Sequence, residues 1–229
     1  MNLFFYLYRM NIQACIFDLD GVIVDTAKYH YRAWRKLANS LGFDFTETDN
    51  EQLKGVSRME SLDIILNIGK KTLDESKKQT LANQKNDWYL EYITMMTPNE
   101  ILPGIVSFLD ELKTQNMRIA LGSASKNAVL TLEKVKLLDR FEIIIDGTKT
   151  TRSKPDPQVF LMGAADLGIA PKNCIVFEDA TKGIEAAREA GMYAIGVGAS
   201  NFTQAHAVIP SFEKINFDGI KALLKGTMI

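Results

Sequence analysis

Residues 16–26 read Ile16-Phe17-Asp18-Leu19-Asp20-Gly21-Val22-Ile23-Val24-Asp25-Thr26. Ala14 to Phe17 is a short apolar run of strand character, and at Asp18 it gives way to acids spaced two apart. A strand ending this way delivers its last side chains to the carboxyl edge of a sheet, where open α/β folds bind their ligands. Residues i and i+2 of an extended chain point the same way, so Asp18 and Asp20 can converge. Gly21 allows a tight turn away from them. Two close carboxylates repel unless they share a cation or a proton. The pair is therefore a candidate for metal binding, nucleophilic attack and proton transfer. A bare Asp-x-Asp is more often a solvated turn; the apolar strand before it and the glycine after it weigh toward a site.

The 229 residues are 46% hydrophobic and 24% charged, the profile of a globular protein with room for one medium domain and a smaller one. A net charge of -1 gives no basic footprint for nucleic acid or an anionic membrane. Cys15 and Cys174 both sit in apolar, strand-like runs and read as buried thiols of a cytoplasmic protein; they lack the spacing of a metal pair. The run Leu3-Phe4-Phe5-Tyr6-Leu7-Tyr8 is far shorter than the ~20 residues of a membrane span. It also lacks the basic start and small-residue cleavage site of a leader. Residues 1–9 are set apart as an N-terminal extension without assigned function, and Met10 offers an alternative start.

Beyond Thr26 the strand character stops. Ala27 to Leu41 reads as a helix with Ala33, Trp34, Leu37, Ala38 and Leu41 on one apolar face, closed by Gly42. Thr46 to Leu53 reads as a short helix before Gly55, and Arg58 to Ile68 as another before Gly69. Leu73 to Met96 reads as a longer polar helix whose apolar contacts are Leu81, Trp88, Leu90, Tyr92 and Ile93. Thr97-Pro98 then breaks the pattern, so residues 27–98 are expected to form an all-helical insertion. Its segment Leu53-Lys54-Gly55-Val56-Ser57-Arg58 combines a glycine that lets backbone approach a ligand with an arginine whose planar fork grips anions. His30 and Trp34 lie four apart, hence on one helix face. Trp34 is expected in the insertion's own core, while His30, one turn from the junction, is open to the crevice. Lys85, on the polar helix, reads first as a surface lysine.

The second half alternates strands and helices. Pro103-Gly104 opens a helix through Leu112, and Arg118 to Gly122 is a strand. Ser123-Ala124-Ser125 follows, with a helix expected from Lys126; amides and hydroxyls at a helix start suit an anion, or simply cap the helix. Ile143 to Ile145 is a strand, and Ser153-Lys154-Pro155-Asp156-Pro157 precedes a helix from Gln158 to Leu167. A lysine before proline is disfavoured in helix and can project a fixed charge. Ile175 to Phe177 is a strand ending in Glu178-Asp179, oxygen donors of the kind Mg²⁺ takes. A helix from Ile184 to Ala190 and a strand from Tyr193 to Gly198 complete the alternation. Ala207-Val208-Ile209 and a helix around Ile220 to Leu224 give packing signals only.

Asp18-Leu19-Asp20, Ser123-Ala124-Ser125, Lys154-Pro155 and Glu178-Asp179 thus appear in order, each after an expected strand. Together they resemble the four motifs of the haloacid dehalogenase superfamily of phosphotransferases, over nearly all of residues 12 to 224. The resemblance implies a Rossmann-like α/β core with a parallel sheet, residues 10–26 and 99–229, and a helical cap domain, residues 27–98. It implies that Asp18 is the nucleophile and Asp20 the general acid/base. It also implies one Mg²⁺ per site, held by Asp18, the main-chain carbonyl of Asp20 and Asp179 with Glu178 in support. Ser123 and Lys154 would bind the transferring phosphoryl oxygens. The His30–Trp34 helix, Gly55-Val56-Ser57-Arg58 and Ser123-Ala124-Ser125-Lys126-Asn127 are similar to the superfamily's sugar-phosphate mutases. That likeness puts a second, non-transferring phosphate on Arg58, Ser125, Lys126 and Asn127, and the sugar against His30, Trp34, Gly55, Val56, Ser57 and, as an extension, Lys85. The implied reaction interconverts β-D-glucose 1-phosphate and glucose 6-phosphate, primed by glucose 1,6-bisphosphate. A Mg²⁺-dependent phosphatase is the alternative. A silent binding module on the same scaffold is disfavoured by the intact acid, serine and lysine set. The implied partner is a small sugar phosphate, with no nucleic acid or membrane, and the chain is expected to be a monomer.

Overall fold

The computed structural model describes residues 11–198 and 202–226. The N-terminal extension and Met10 lie outside the described residues. Four helices lie in the insertion after the first strand: α1 (Ala27–Ser40), α2 (Glu47–Asn50), α3 (Arg58–Ile68) and α4 (Glu75–Ile93). Five more are interleaved with strands: α5 (Ile105–Thr114), α6 (Ala128–Lys134), α7 (Gln158–Leu167), α8 (Thr181–Glu189) and α9 (Phe217–Gly226). The strands are β1 (Ala14–Phe17), β2 (Arg118–Gly122), β3 (Ile143–Ile145), β4 (Cys174–Glu178), β5 (Tyr193–Val197) and β6 (Ala207–Ile209). They form one parallel sheet in the order β3-β2-β1-β4-β5-β6. The strands read as unbroken apolar runs because helices cover both faces. The tail residues 207–209, legible in sequence only as packing, form the edge strand β6.

β1 is central, and the strand order reverses between it and β4. Such a reversal opens a crevice beyond the strand ends. Phe17 is in register with Leu121 on one side and Phe177 on the other. Asp18, Gly122 and Glu178 therefore leave the sheet side by side, and the Asp18 amide donates to the Phe177 carbonyl at 3.0 Å. An aromatic cluster fixes these ends. Phe17 stacks on Phe177 at 4.8 Å between centroids, and Phe108 of α5 meets Phe177 edge-on at 5.5 Å and lies 4.9 Å from Phe212. Cys15 lies in this cluster and Cys174 in the one on the opposite face of the sheet, so the two buried thiols stay free.

The helical insertion follows the sequence reading at α1 and α3. The short helix expected over residues 46–53 divides into α2 and a 3-10 turn, Glu51–Leu53. Thr46 starts it with a capping box: its hydroxyl accepts from the Asp49 amide, and Asp49 accepts from the Thr46 amide. α4 differs more. Its buried stripe is Ala82, Lys85, Tyr89 and Ile93, whereas Leu81, Trp88, Leu90 and Tyr92 are only partly buried around it. The cause is that α4 joins two apolar clusters. Ala82 packs with Trp34, Leu37 and Leu62 in the insertion, while Tyr89 and Ile93 pack into the cluster beneath the sheet. Lys85 sits between them and breaks the apolar period.

Deleting the Phe108 ring removes the edge-on support of Phe177. Phe108→Ala is expected to cost about 3–5 kcal/mol of stability, read from urea unfolding. A loss below about 1 kcal/mol would contradict this account of the strand ends.

Candidate active site

Lys154 lies at the bottom of the crevice, 1% exposed. Its Nζ donates to Asp18 Oδ1 at 2.5 Å, Glu178 Oε1 at 2.6 Å and the Gly122 carbonyl at 3.2 Å. All three donor positions of the ammonium are filled, which fixes the side chain. Burial opposes its charge, but the two carboxylates outweigh burial and hold its pKa above the ordinary lysine value. Glu178, fully buried, also accepts the Ala180 amide at 2.8 Å.

Carboxylate oxygens of Asp18, Glu178 and Asp179 lie within 4.8 Å of one another. Burial and the charges of Glu178 and Asp18 push the Asp179 carboxyl well above its usual range. Closely spaced hard oxygen donors whose repulsion one lysine does not neutralise fit a small divalent cation. The Asp20 side chain is not in this group.

Two glycines make the arrangement possible. Gly21 adopts φ 83°, and a Cβ there would stand 2.2 Å from Asp179 Oδ2. Gly183, in the first turn of α8, leaves room for Glu178: a Cβ would stand 1.8 Å from Oε1. α8 begins at Thr181 rather than the expected Ile184, so Gly183 is a helical position.

Asp20 turns toward the insertion. Thr26 Oγ1 donates to Asp20 Oδ1 in a very short contact, and His30 Nε2 lies 3.9 Å from Oδ2. Burial, then the nearby Asp18 charge, raise the Asp20 pKa to about 6, against the pull of the Thr26 bond and of Lys154 and Lys85. Behind His30, Lys85 Nζ lies 2.9 Å from Nδ1. With Lys85 as the donor in this contact, the imidazole proton sits on Nε2, facing Asp20. Burial and the charges of Lys85 and Arg58 keep the His30 pKa well below its ordinary value, so the ring is neutral. Lys85 is 2% exposed, not a surface lysine; its ammonium sits 4.5 Å from the Trp34 ring and 4.7 Å from the Tyr89 ring. Trp34 combines both sequence readings, since it is buried in the insertion's core and lines the cavity.

These groups line one cavity of about 320 Å³, shared with Gly55, Val56, Ser57, Arg58, Ser125, Lys126 and Asn127. Among the described residues no carboxylate is within ion-pair distance of Arg58, a partly buried guanidinium whose pKa burial lowers. Ser57 caps α3 by accepting the Glu60 amide. The turn after β2 differs from expectation, because α6 starts at Ala128, not Lys126. Ser123 Oγ accepts the Ser125 amide at 3.1 Å and Ser125 Oγ accepts the Asn127 amide at 3.2 Å. Those two amides serve the turn, while the Ser123 and Ser125 hydroxyl protons remain to meet an anion. Asn127 Nδ2 also donates to Asn86 Oδ1 of α4 at 3.0 Å, tying the turn to the insertion.

Sequence reasoning missed Thr26, Tyr89, Asn86 and Gly183. Tyr89 follows Lys85 by four, so the helical period would have placed it on the same face once Lys85 was known to point inward. Nothing local marks Thr26, Asn86 or Gly183.

A family model for haloacid dehalogenase-like hydrolases matches residues 15–197. The chain is 44% identical over 189 residues to the beta-phosphoglucomutase of Bacillus subtilis, covering 82% of this chain and 84% of that protein. It is 30% identical over 185 residues to the phosphorylated carbohydrates phosphatase of Thermotoga maritima, covering 79% and 82%. The crystal structure of beta-phosphoglucomutase from Clostridium difficile superposes with a TM-score of 0.91 at 46% identity, covering 95% of this chain and 99% of that one.

Glycine to alanine inside a helix ordinarily stabilises by about 1 kcal/mol. At Gly183 the opposite is expected, because Glu178 is anchored by Lys154 and the Ala180 amide and cannot yield cheaply. Gly183→Ala should lower the thermal midpoint and weaken Mg²⁺ binding measured by calorimetry. A stabilised variant with unchanged Mg²⁺ affinity would contradict the packing described.

Proposed function

The chain belongs to the haloacid dehalogenase-like hydrolase family, and on that premise we propose that it is an intramolecular phosphotransferase interconverting β-D-glucose 1-phosphate and glucose 6-phosphate. The observation that carries this reading is Arg58: a guanidinium with no carboxylate within ion-pair distance among the described residues, lining the same cavity as Asp18, Lys126 and Asn127. A bisphosphate intermediate needs a grip for the phosphate that is not being transferred, and Arg58 supplies one. A phosphatase acting on a monophosphate leaves that grip without a purpose.

Phosphoryl transfer is mostly a matter of positioning and charge neutralisation. Asp18 attacks phosphorus to form an aspartyl phosphate. The sugar oxygen that leaves takes its proton from Asp20, whose raised pKa keeps an acid form available. That half-reaction starts from glucose 1,6-bisphosphate, which primes the enzyme, and releases glucose 6-phosphate. In the other half Asp20 removes the proton from the C6 hydroxyl of β-D-glucose 1-phosphate as that oxygen attacks the aspartyl phosphate; the Asp18–phosphate bond breaks, and the glucose 1,6-bisphosphate formed turns round for the next attack by Asp18. Lys154 and Ser123 hold the oxygens of the group in transit. Mg²⁺ bound by Asp18, the Asp20 main-chain carbonyl and Asp179, with Glu178 behind them, would neutralise charge on those oxygens. Neutral His30, held by Lys85, directs its Nε2 proton toward Asp20 and helps orient it. Trp34, Gly55, Val56 and Ser57 enclose the sugar, and Ser125 joins the anion grip.

Residues 27–98 act as a cap over the core formed by residues 10–26 and 99–229. Closure excludes the water that would otherwise hydrolyse the aspartyl phosphate. The enzyme works as a monomer in the cytoplasm, in carbohydrate metabolism, on a small sugar phosphate. Among the described residues no helix is long and apolar enough to cross a membrane.

The test is an assay on β-D-glucose 1-phosphate with Mg²⁺ and a trace of glucose 1,6-bisphosphate, following glucose 6-phosphate and free phosphate together. Glucose 6-phosphate with little free phosphate is expected; free phosphate keeping pace with substrate loss would establish a phosphatase instead. In the same assay Asp20→Asn should lose about 10²–10⁴ in rate, and Asp18→Asn nearly all activity. Small, equal losses in both variants would overturn the assignment.

A further inference from the structure

The chain passes between core and helical insertion twice, around Val24–Ala27 and around Thr97–Ile101, and the two passages are joined. Val24 and Ile101 form an antiparallel bridge, the Asp25 amide donates to the Glu100 carbonyl at 3.0 Å, and the Leu102 amide donates to the Ile23 carbonyl at 2.9 Å. The side chain of Glu100 then reaches onto α1. Its Oε2 accepts from Lys28 Nζ at 2.5 Å and its Oε1 from Tyr29 Oη at 2.8 Å. Tyr29 in turn stacks on Tyr92 of α4 at 6.0 Å. One carboxylate thus ties the entry of α1 to the return passage, next to the exit of α4.

α1 needs an outside anchor. Its N-cap residue is Thr26, but the Thr26 side chain makes no cap hydrogen bond and the first turn holds no acid. The hydroxyl that would ordinarily cap the helix is turned to Asp20 instead. The amides of Tyr29 and His30 fold onto the Thr26 carbonyl at 2.9 and 3.1 Å. The position of this turn therefore sets where Thr26 Oγ1 meets Asp20 and, together with Lys85 and Tyr89 against the ring, where the His30 ring does. Glu100 grips the turn through two side chains and from another segment, while Asp25 reaches only Lys28, at 3.3 Å. Its side chain is 20% exposed, so the contacts are partly shielded from water.

We propose that Glu100 is a positioning residue of the phosphoryl-transfer site, acting through the first turn of α1 on Thr26 and His30. Its carboxylate touches no reacting atom. Losing it releases the turn, so that His30 and Thr26 no longer meet Asp20 in one geometry. Transfer to the sugar slows, while water, which needs no such registration, gains on it. The catalytic consequence rests on the reading of Asp20 as the proton carrier; the structural consequence does not.

The test uses the full chain with isotopically labelled histidine and two readouts. The chain has two histidines, His30 and His206, so the imidazole nitrogen spectrum resolves one probe at the site and one internal control. In Glu100→Ala the His30 nitrogens should move from the pattern of a single tautomer toward averaged shifts, with His206 unchanged. The rate of glucose 6-phosphate formation should fall by about ten- to a hundred-fold, and the share of free phosphate should rise. Tyr29→Phe, which removes one of the two bonds, and Lys28→Met, which removes the other together with the Lys28–Asp25 ion pair at 3.3 Å, should give smaller changes in the same direction and serve if Glu100→Ala does not fold. Wild-type His30 shifts in a folded Glu100→Ala, or in both milder variants if it does not fold, would overturn the proposal. If the sugar is misassigned, wild type itself makes no glucose 6-phosphate, yet the His30 readout still decides the role of Glu100.

Discussion

Carboxylates crowded at the ends of two adjacent strands are the constraint on which the rest of the structure depends. Asp18, Asp20, Glu178 and Asp179 meet where β1 and β4 leave the sheet, with Lys154 as the buried cation among them. Left to themselves such groups repel, and burial makes the repulsion worse. Lys154 bridges Asp18 to Glu178, Asp20 turns away to Thr26, and the remaining excess of negative charge suits a divalent cation. An arrangement that is costly without its ligands is also one that binds a cation and an electron-poor phosphoryl group well.

The fold carries that cost in two ways. Phe17 and Phe177, each the last apolar residue before an acid, are locked in one aromatic cluster, so the strand ends cannot splay. Gly21 and Gly183 leave the clearances that Asp179 and Glu178 fill. The helical insertion then brings His30, Lys85 and Arg58 over the crevice, cations and a neutral imidazole opposite a floor of acids. Its helix α4 packs into the core cluster at one end and into the insertion's own cluster at the other.

The core was legible in sequence because its signals are local. Each parallel strand is a continuous apolar run, and each active strand ends abruptly in polar residues; Asp18, Ser123, Glu178 and Asp179 declare themselves by that change. β6 was not legible, since three residues at a sheet edge carry too little pattern. Lys85 and Tyr89 were hidden because α4 crosses from one apolar cluster to another, and a buried lysine in the middle makes its face look polar. Glu100 acts through partners distant in sequence and Gly183 through the absence of a side chain. Thr26 resembles an ordinary helix cap, and only the structure shows its hydroxyl turned to Asp20.

The most direct test of the account follows the phosphoryl group itself. The enzyme is loaded with labelled glucose 1,6-bisphosphate, quenched in acid and mapped by peptide mass spectrometry, then chased with unlabelled β-D-glucose 1-phosphate before quenching. The account predicts label on Asp18 before the chase and in sugar phosphate after it, with little as free phosphate. Label on another residue, or label released to water at the same rate with and without the sugar, would contradict it.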